Sequence, residues 1–266
     1  VSVFDFLVND AALDGRASAV EAAVRRHLSH RGSSDLVRSL QVPDHRLGEI
    51  GRTVAPETVR AHVVNTTGAG GLVSLGGRTV HGVQVISAES GLRDLDDLVG
   101  NAVRVIAAAA ELEDEVEVYV GLPPVPGWQR AAEAVEAAGL YGSLGTDPAS
   151  DPSALGLAGQ VSALVELDLP FAVAAADFRA TPTVVDGVLR QHGVLNLLLA
   201  VDALIDEADL DRAACILMET DPTALASVFG WDDARAVRVR RRIRAVGVWD
   251  VTALTDELTS LESGRA

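Results

Sequence analysis

Apolar residues along this chain recur in two rhythms, and the change from one to the other divides it. Near the amino end, Ala17–Leu28 places Val20, Val24 and Leu28 on one helical face. Ser34–Leu40 reads as a second, short helix, and Pro43, Gly48, Gly51 and Pro56 then break the pattern. Residues 1–58 are therefore expected to form a helical lead-in. From residue 59 onward short β-branched runs alternate with helical segments. His62–Asn65, Val83–Ser87, Glu115–Val120, Tyr141–Leu144 and Leu169–Ala176 are the predicted strands. Between them, Asp94–Leu112 reads as a helix with Leu95, Leu98, Val99, Ala102, Val105 and Ile106 on its buried side. Trp128–Ala138 is closed by Gly139, and Ser153–Leu167 has Asp151 as N-cap and Pro152 in its first turn.

Strand and helix alternate from about residue 60 to 176, which implies parallel strands joined by helical crossovers. The strand spacing of about 20 to 35 residues is that of a TIM-barrel-like (β/α) barrel. An open doubly wound sheet is the alternative. The last third reads as mainly helical: Gln191–Glu207, Asp209–Glu219, a start at Asp221-Pro222, a basic helix Asp232–Arg244 and a terminal helix Thr252–Ser260, with one strand at Ala245–Trp249. Eight complete repeats are not visible, so the barrel is expected to be irregular or incomplete. The 266 residues are read as a single α/β domain, the body running from 59 to 266.

Composition narrows the chemistry. The chain has no lysine: all 22 basic residues are arginine. Lysine Schiff bases, the usual attachment of pyridoxal phosphate and a lysine-bearing P-loop are thereby excluded. Aromatic residues make up only 4%, so the core must be built from Ala, Val, Leu and Ile. A net charge of −16 disfavours nucleic acid and anionic membranes. No run of about 18 apolar residues could span a bilayer and Val1–Asp10 lacks a basic leader, so a cytoplasmic protein is expected. The single Cys215, read as a small core residue, can form neither an intrachain disulfide nor a multi-cysteine metal site.

In either α/β architecture, function sits at the carboxyl ends of the strands. Asn65-Thr66-Thr67-Gly68-Ala69-Gly70-Gly71 follows the first predicted strand of the body. Its glycines and neutral donors could receive a phosphate or carboxylate, with Asn65, Thr66, Thr67, Gly68 and Gly70 as ligand contacts; the alternative is a glycine-rich turn. Glu89 lies just past the next strand as a general base, with Arg93 beside it to bind an anion. A helix entry with acids near its positive end is the alternative. Asp177 and Arg179 follow Leu169–Ala176, and His192 and Asn196 share a helical face downstream. Asp177 and His192 could form an acid–base pair, Arg179 and Asn196 binding substrate; His192 and Asn196 could equally be buried structural polars. No zinc pattern is present: His27 and His30 are one helical turn apart without a completing ligand, and His45, His62 and His81 are scattered. No cofactor is predicted, though Mg²⁺ at Glu89 leaves too little trace to settle. The arginines at 235, 238, 240, 241, 242 and 244 are read as a solvated, internally paired cluster, with phosphate binding or a partner contact as the alternatives.

Pro170-Phe171-Ala172-Val173-Ala174-Ala175-Ala176-Asp177-Phe178-Arg179, then Gln191-His192-Gly193-Val194-Leu195-Asn196, resembles a family of uncharacterised bacterial TIM-barrel-like proteins whose pattern runs P-F-K-x-T-A-G-L-H-H and H-G-F-L-N. Asn65–Leu72 is similar to that family's N-T-G-G-A-G-G-L segment. The resemblance covers residues 60 to 200 and implies a barrel but no established reaction. Where the family has its Lys this chain has Ala172, and where it has paired His, Phe178 and Arg179. A catalytic pattern would be lost or altered here.

The expectation is a protein that binds a small anionic or phosphorylated metabolite, as a lyase- or isomerase-type enzyme or a degenerate relative without lysine chemistry. The alternative is a non-catalytic ligand-binding or protein-interaction scaffold. A homodimer is compatible with the sequence, but no feature demands one.

Overall fold

The computed structural model describes residues 2–13, 19–54, 57–145 and 153–264. Eight parallel strands close into a barrel: β1 (Val8–Asp10), β2 (Val37–Pro43), β3 (Val59–Asn65), β4 (Val83–Gly91), β5 (Glu117–Gly121), β6 (Tyr141–Leu144), β7 (Phe171–Ala176) and β10 (Ile243–Val248). They lie side by side in chain order, and Val8 pairs with both Val37 and Val246 to close the ring. The helices α1 (Val20–Ser33), α2 (Leu47–Thr53), α3 (Ala69–Gly76), α4 (Leu98–Ala109), α5 (Trp128–Ala137), α6 (Ala154–Glu166), α7 (Val194–Glu207) and α11 (Val251–Ser263) follow the strands in turn. Between α7 and β10 the chain adds α8 (Leu210–Met218), α9 (Pro222–Leu225) and α10 (Asp233–Arg242). A hairpin of β8 (Thr183–Val185) and β9 (Val188–Gln191) interrupts the connection from β7 to α7. Its Asp186-Gly187 turn has positive φ at both residues, the twist a two-residue hairpin requires.

The closed ring of eight resolves the expected irregularity, because the missing repeats lie in the stretch read as a helical lead-in. Residues 1–58 carry β1 and β2, and Ser34–Leu40 is largely strand rather than helix. Leu36 and Leu40 mimic a helical spacing, but over 39–42 the pattern is two-fold. Leu40 and Val42 join the hydrophobic layer, while Ser39 meets Asn9 of β1 through a 2.7 Å hydrogen bond. β1 has only three residues, too few to show a period.

The main hydrophobic core lies between the barrel's outer face and the helices, drawing Val8, Leu40, Val63, Val120, Phe171 and Val246 from the strands. Inside the barrel the filling is different. Tyr119, Ala172 and Ala245 form a small separate cluster against Tyr141, and polar side chains such as Asn9, Ser39, His62, Ser87 and Ser143 are buried beside it. TIM barrels generally fill this space with branched aliphatic layers; here hydrogen-bonded side chains take their place.

Helix starts explain part of the acidic excess. Asp97, Asp209, Asp221, Asp232 and Asp250 each accept a backbone N–H at an N-terminus, where the helix dipole favours negative charge. Ser153 does the same for α6; Asp151 and Pro152, expected there, lie outside the described residues. Leu95 and Val99, expected on the buried side of α4, are exposed, because the helix begins only at Leu98 and turns Leu98, Ala102 and Val105 inward. Cys215 is exposed on α8 rather than in the core, since Ala213 and Leu217 form that helix's buried face. No helix of the described residues is long and apolar enough to cross a membrane.

Candidate functional site

β4 is longer than its apolar run suggests. It continues through Ala88-Glu89-Ser90-Gly91, so Glu89 stands within the strand rather than beyond it. Alternation turns Ala88 to the helices and Ser87 and Glu89 to the barrel interior. Ser143 of β6 donates to Glu89 Oε1 at 2.9 Å, and His62 Nε2 of β3 lies 3.3 Å from Glu89 Oε2. The other ring nitrogen of His62 is 2.8 Å from Ser87 Oγ. His62 is 1% exposed, with its ring edge-on to Tyr119, whereas the Glu89 side chain is 17% exposed. The carboxylate is thus oriented from two sides and faces solvent on the third. It opens into a cavity of about 260 Å³ lined by Gly91, Leu92, Gly121, Leu122, Pro123, Pro124, Ser143, Gly145 and Ala174. That cavity is at the carboxyl ends of β4 to β7.

The Asn65–Gly71 loop is at the same end but its donors are already engaged. Asp44, just after β2, accepts from Thr66 N–H at 3.1 Å, Thr66 Oγ1 at 2.6 Å and Thr67 Oγ1 at 3.3 Å. Burial raises the Asp44 carboxyl's pKa, but the hydrogen bonds from Thr66, His45 and Thr67 outweigh it and leave the group more acidic than usual. Asn65 Nδ2 donates to Gly68 O and Ser90 Oγ, while its Oδ1 receives Thr67 N–H. Thr66 and Thr67, two of the expected anion donors, therefore hold a carboxylate of the chain itself, while Asn65 holds the loop. Gly68 has φ +76°, and a Cβ on Gly71 would collide with Asn65 Oδ1 and Thr67 Oγ1. Gly70 is open to a cavity of about 530 Å³ beside Asp44, His45 and Arg78.

Arg93 follows Leu92 of the Glu89 cavity and leans over this loop, its Cδ 3.9 Å from where a Cβ of Gly68 would stand. Asp177 and Arg179 are at the end of β7, 3.8 Å apart, and Arg179 also comes to 4.0 Å from Glu257 of α11. Glu89, Arg93, Asp177 and Arg179 thus all belong to the carboxyl end of the barrel. His192 and Asn196 are used differently. His192 Nδ1 meets Leu217 O at 3.0 Å, and Asn196 Nδ2 donates to Ile216 O and Glu219 O. Both are buried and tie the start of α7 to the end of α8, contacts of the kind that buried structural polars make.

Three residues near Glu89 escaped the sequence reading: His62, Ser87 and Ser143. His62 was grouped with the scattered histidines. The Ser-Ala-Glu spacing of Ser87 and Glu89 was a usable signal, since residues two apart on a strand share a face. Asp10 was also missed. At the end of β1 it lies 3.3 Å from His27 of α1, both buried. A further cavity of about 130 Å³ adjoins it, lined among others by Arg26, His30 and Asp250. Among the described residues no group of three or more His, Cys, Asp or Glu side chains is arranged to hold a metal ion.

No protein-family model matches the chain, and no curated protein matches it. Among solved structures, a dihydropteroate synthase from Xanthomonas albilineans, in complex with indole-2-carboxylic acid and 6-chloroguanine, aligns over 100% of this chain and 95% of its own. The two share 15% identity at a TM-score of 0.47. The barrel assignment rests on the closed ring of parallel strands in this chain.

Proposed function

We propose that the cavity at the carboxyl ends of β4 to β7 binds a small anionic metabolite, and that Glu89 moves a proton on it. The observation that carries this reading is the Glu89 carboxylate, held by Ser143 and His62 with one side open to the cavity. A carboxylate so oriented is positioned for general-base work. It takes a proton from a carbon acid, and the C–H electron pair stays on the substrate as an enolate. Return of the proton at the same or a neighbouring carbon is isomerase-type chemistry; if the enolate instead expels a β-leaving group, which departs with its bonding pair and takes up the proton, the reaction is of the lyase type. Neither needs lysine. Leu92, Leu122, Pro123 and Pro124 suit a compact apolar body, while Arg93 and Arg179, outside the lining but at the same end of the barrel, would turn to meet its carboxylate or phosphate.

The non-catalytic reading has one observation in its favour: Asp44 already occupies the donors of Thr66 and Thr67, as in a loop that has lost a ligand. Deuterium exchange separates the two. Carboxylated and phosphorylated carbon acids are incubated with the protein in D₂O, and ligand binding is followed by thermal shift. Catalysis predicts deuterium incorporation that Glu89→Gln abolishes while the thermal shift persists. A ligand that stabilises the protein without any exchange supports the scaffold and overturns the catalytic reading.

A further inference from the structure

The opposite end of the barrel carries a concentration of positive charge that the proposed chemistry does not use. Arg38, Arg60 and Arg244 stand at or near the amino ends of β2, β3 and β10. Arg240, at the end of α10, reaches the same place. Among the described residues, Glu117 at the start of β5 is the carboxylate that bonds to two of them. It accepts from Arg38 at 2.5 Å, Arg244 at 2.8 Å and Tyr119 Oη at 2.5 Å. Glu117 is on β5 while the two arginines are on β2 and β10, the strands that flank β1, so both reach across the barrel end to one carboxylate.

The other cations make no contact ion pair with a described carboxylate. Arg240 donates to the carbonyl oxygens of Ile243, Arg244, Phe6 and Asp5 at 2.6, 2.9, 3.1 and 3.4 Å. Those bonds hold the side chain without neutralising it, and the Asp5 charge acts on it only from a distance. The Arg60 side chain makes no hydrogen bond with any described residue and feels Glu117 only through the field, and Arg244 Nε is buried without a hydrogen-bond partner. The mutual repulsion is visible in their acidity. Burial, then Arg31 and Arg38, lower the pKa of Arg60; burial, then Arg244 and Arg38, bring Arg240 down to about 10. In a chain of net charge −16, like charges gathered around one carboxylate are a cost that stability alone does not explain. The place is reachable: the Arg38 and Arg244 side chains are 11% and 36% exposed.

We propose that the amino-terminal end of the barrel is a second binding site, for a small multiply charged oxyanion of the phosphate-monoester or pyrophosphate class, held by Arg60 with Arg38 and Arg244. Planar guanidinium forks pair with phosphate oxygens two bonds at a time. A dianion would neutralise most of the surplus, which a monocarboxylate would not. The bonds already made to Glu117 hold Arg38 and Arg244 in place before the ligand arrives, leaving Arg60 to complete the clamp. This site lies at the far end of the strands from Glu89 and is independent of the reaction proposed there.

Calorimetric titration with pyrophosphate tests it, using the wild type, Arg60→Gln and the double variant Arg93→Gln with Arg179→Gln, which removes the anion contacts proposed at the other end. Because the Arg60 side chain bonds to no described residue, Arg60→Gln should keep the wild-type thermal midpoint. The expected result is binding in the wild type, weakened by about tenfold or more in Arg60→Gln, that is by at least about 1.4 kcal/mol, and unchanged in the double variant. Three outcomes overturn the proposal: no binding to the wild type, binding that Arg60→Gln leaves intact, or binding lost in the double variant, which would place the anion at the other end.

Discussion

His27 Nδ1 lies 3.3 Å from Asp10 Oδ2, and the two side chains are 0% and 2% exposed. The two atoms face each other without completing a hydrogen bond, and they set α1 against the carboxyl end of β1, a three-residue strand with no period of its own. Asp10 Oδ1 also accepts Ala12 N–H, so the carboxylate shapes the turn that leaves the strand. Removing one member of such a pair strands the other in a dry environment. Asp10→Ala is expected to cost about 3 kcal/mol, and the double substitution Asp10→Val with His27→Leu less than the sum of the singles. Urea unfolding measures both; additive losses would show that the two side chains are not coupled.

The Asn65–Gly71 loop makes a paired prediction at adjacent glycines. Gly71→Ala drives a methyl group into Asn65 Oδ1 and Thr67 Oγ1, both fixed by other bonds, and should destabilise by about 1–3 kcal/mol. Gly70→Ala meets nothing within 4 Å and lies in the first turn of α3, so it should be neutral or stabilising by up to about 1 kcal/mol. Thermal midpoints of the two variants should move in different directions. Equal losses would mean that glycine is needed there for flexibility rather than for space.

Glu117 predicts a pH dependence. Burial pushes its carboxyl up, but Arg38, the Tyr119 hydroxyl and Arg244 more than offset this and leave the pKa below the ordinary value. A group with a depressed folded-state pKa adds stability that is fully present above its unfolded value, about 4.3, and is lost as pH falls through the folded value. The wild type should therefore lose stability below about pH 4. Glu117→Gln removes the hydrogen-bonded charge at the cost of about 2 kcal/mol at neutral pH, and its melting curve should fall less steeply with acid. Parallel acid profiles in the two proteins would assign the loss to other carboxylates, Asp44 among them, whose pKa is also lowered.

How much of this was legible in the chain follows from how local each feature is. Tyr141–Leu144 was located residue for residue, and Trp128–Ala138 and Ser153–Leu167 to within a residue at each end, because a closing glycine and apolar periods act over a single turn or strand. The alternation of strand and helix after residue 59 was enough to imply parallel strands and a barrel. Glu89 could be singled out because a carboxylate near a strand's end needs no distant partner to be noticed.

Tertiary structure decided the rest. β1 and β2 became strands by pairing with β10 and β3, contacts between distant parts of the chain that no local period announces. His192 and Asn196 turned out to be tied to carbonyls of α8, since a buried polar side chain takes the partner that packing brings, here 20 to 25 residues away. Ser143 reaches Glu89 across 54 residues and His62 across 27, and Arg38 reaches Glu117 across 79. Closing the ring turns every second side chain of each strand toward a common axis, which makes neighbours of residues whose order in the chain says nothing of their meeting.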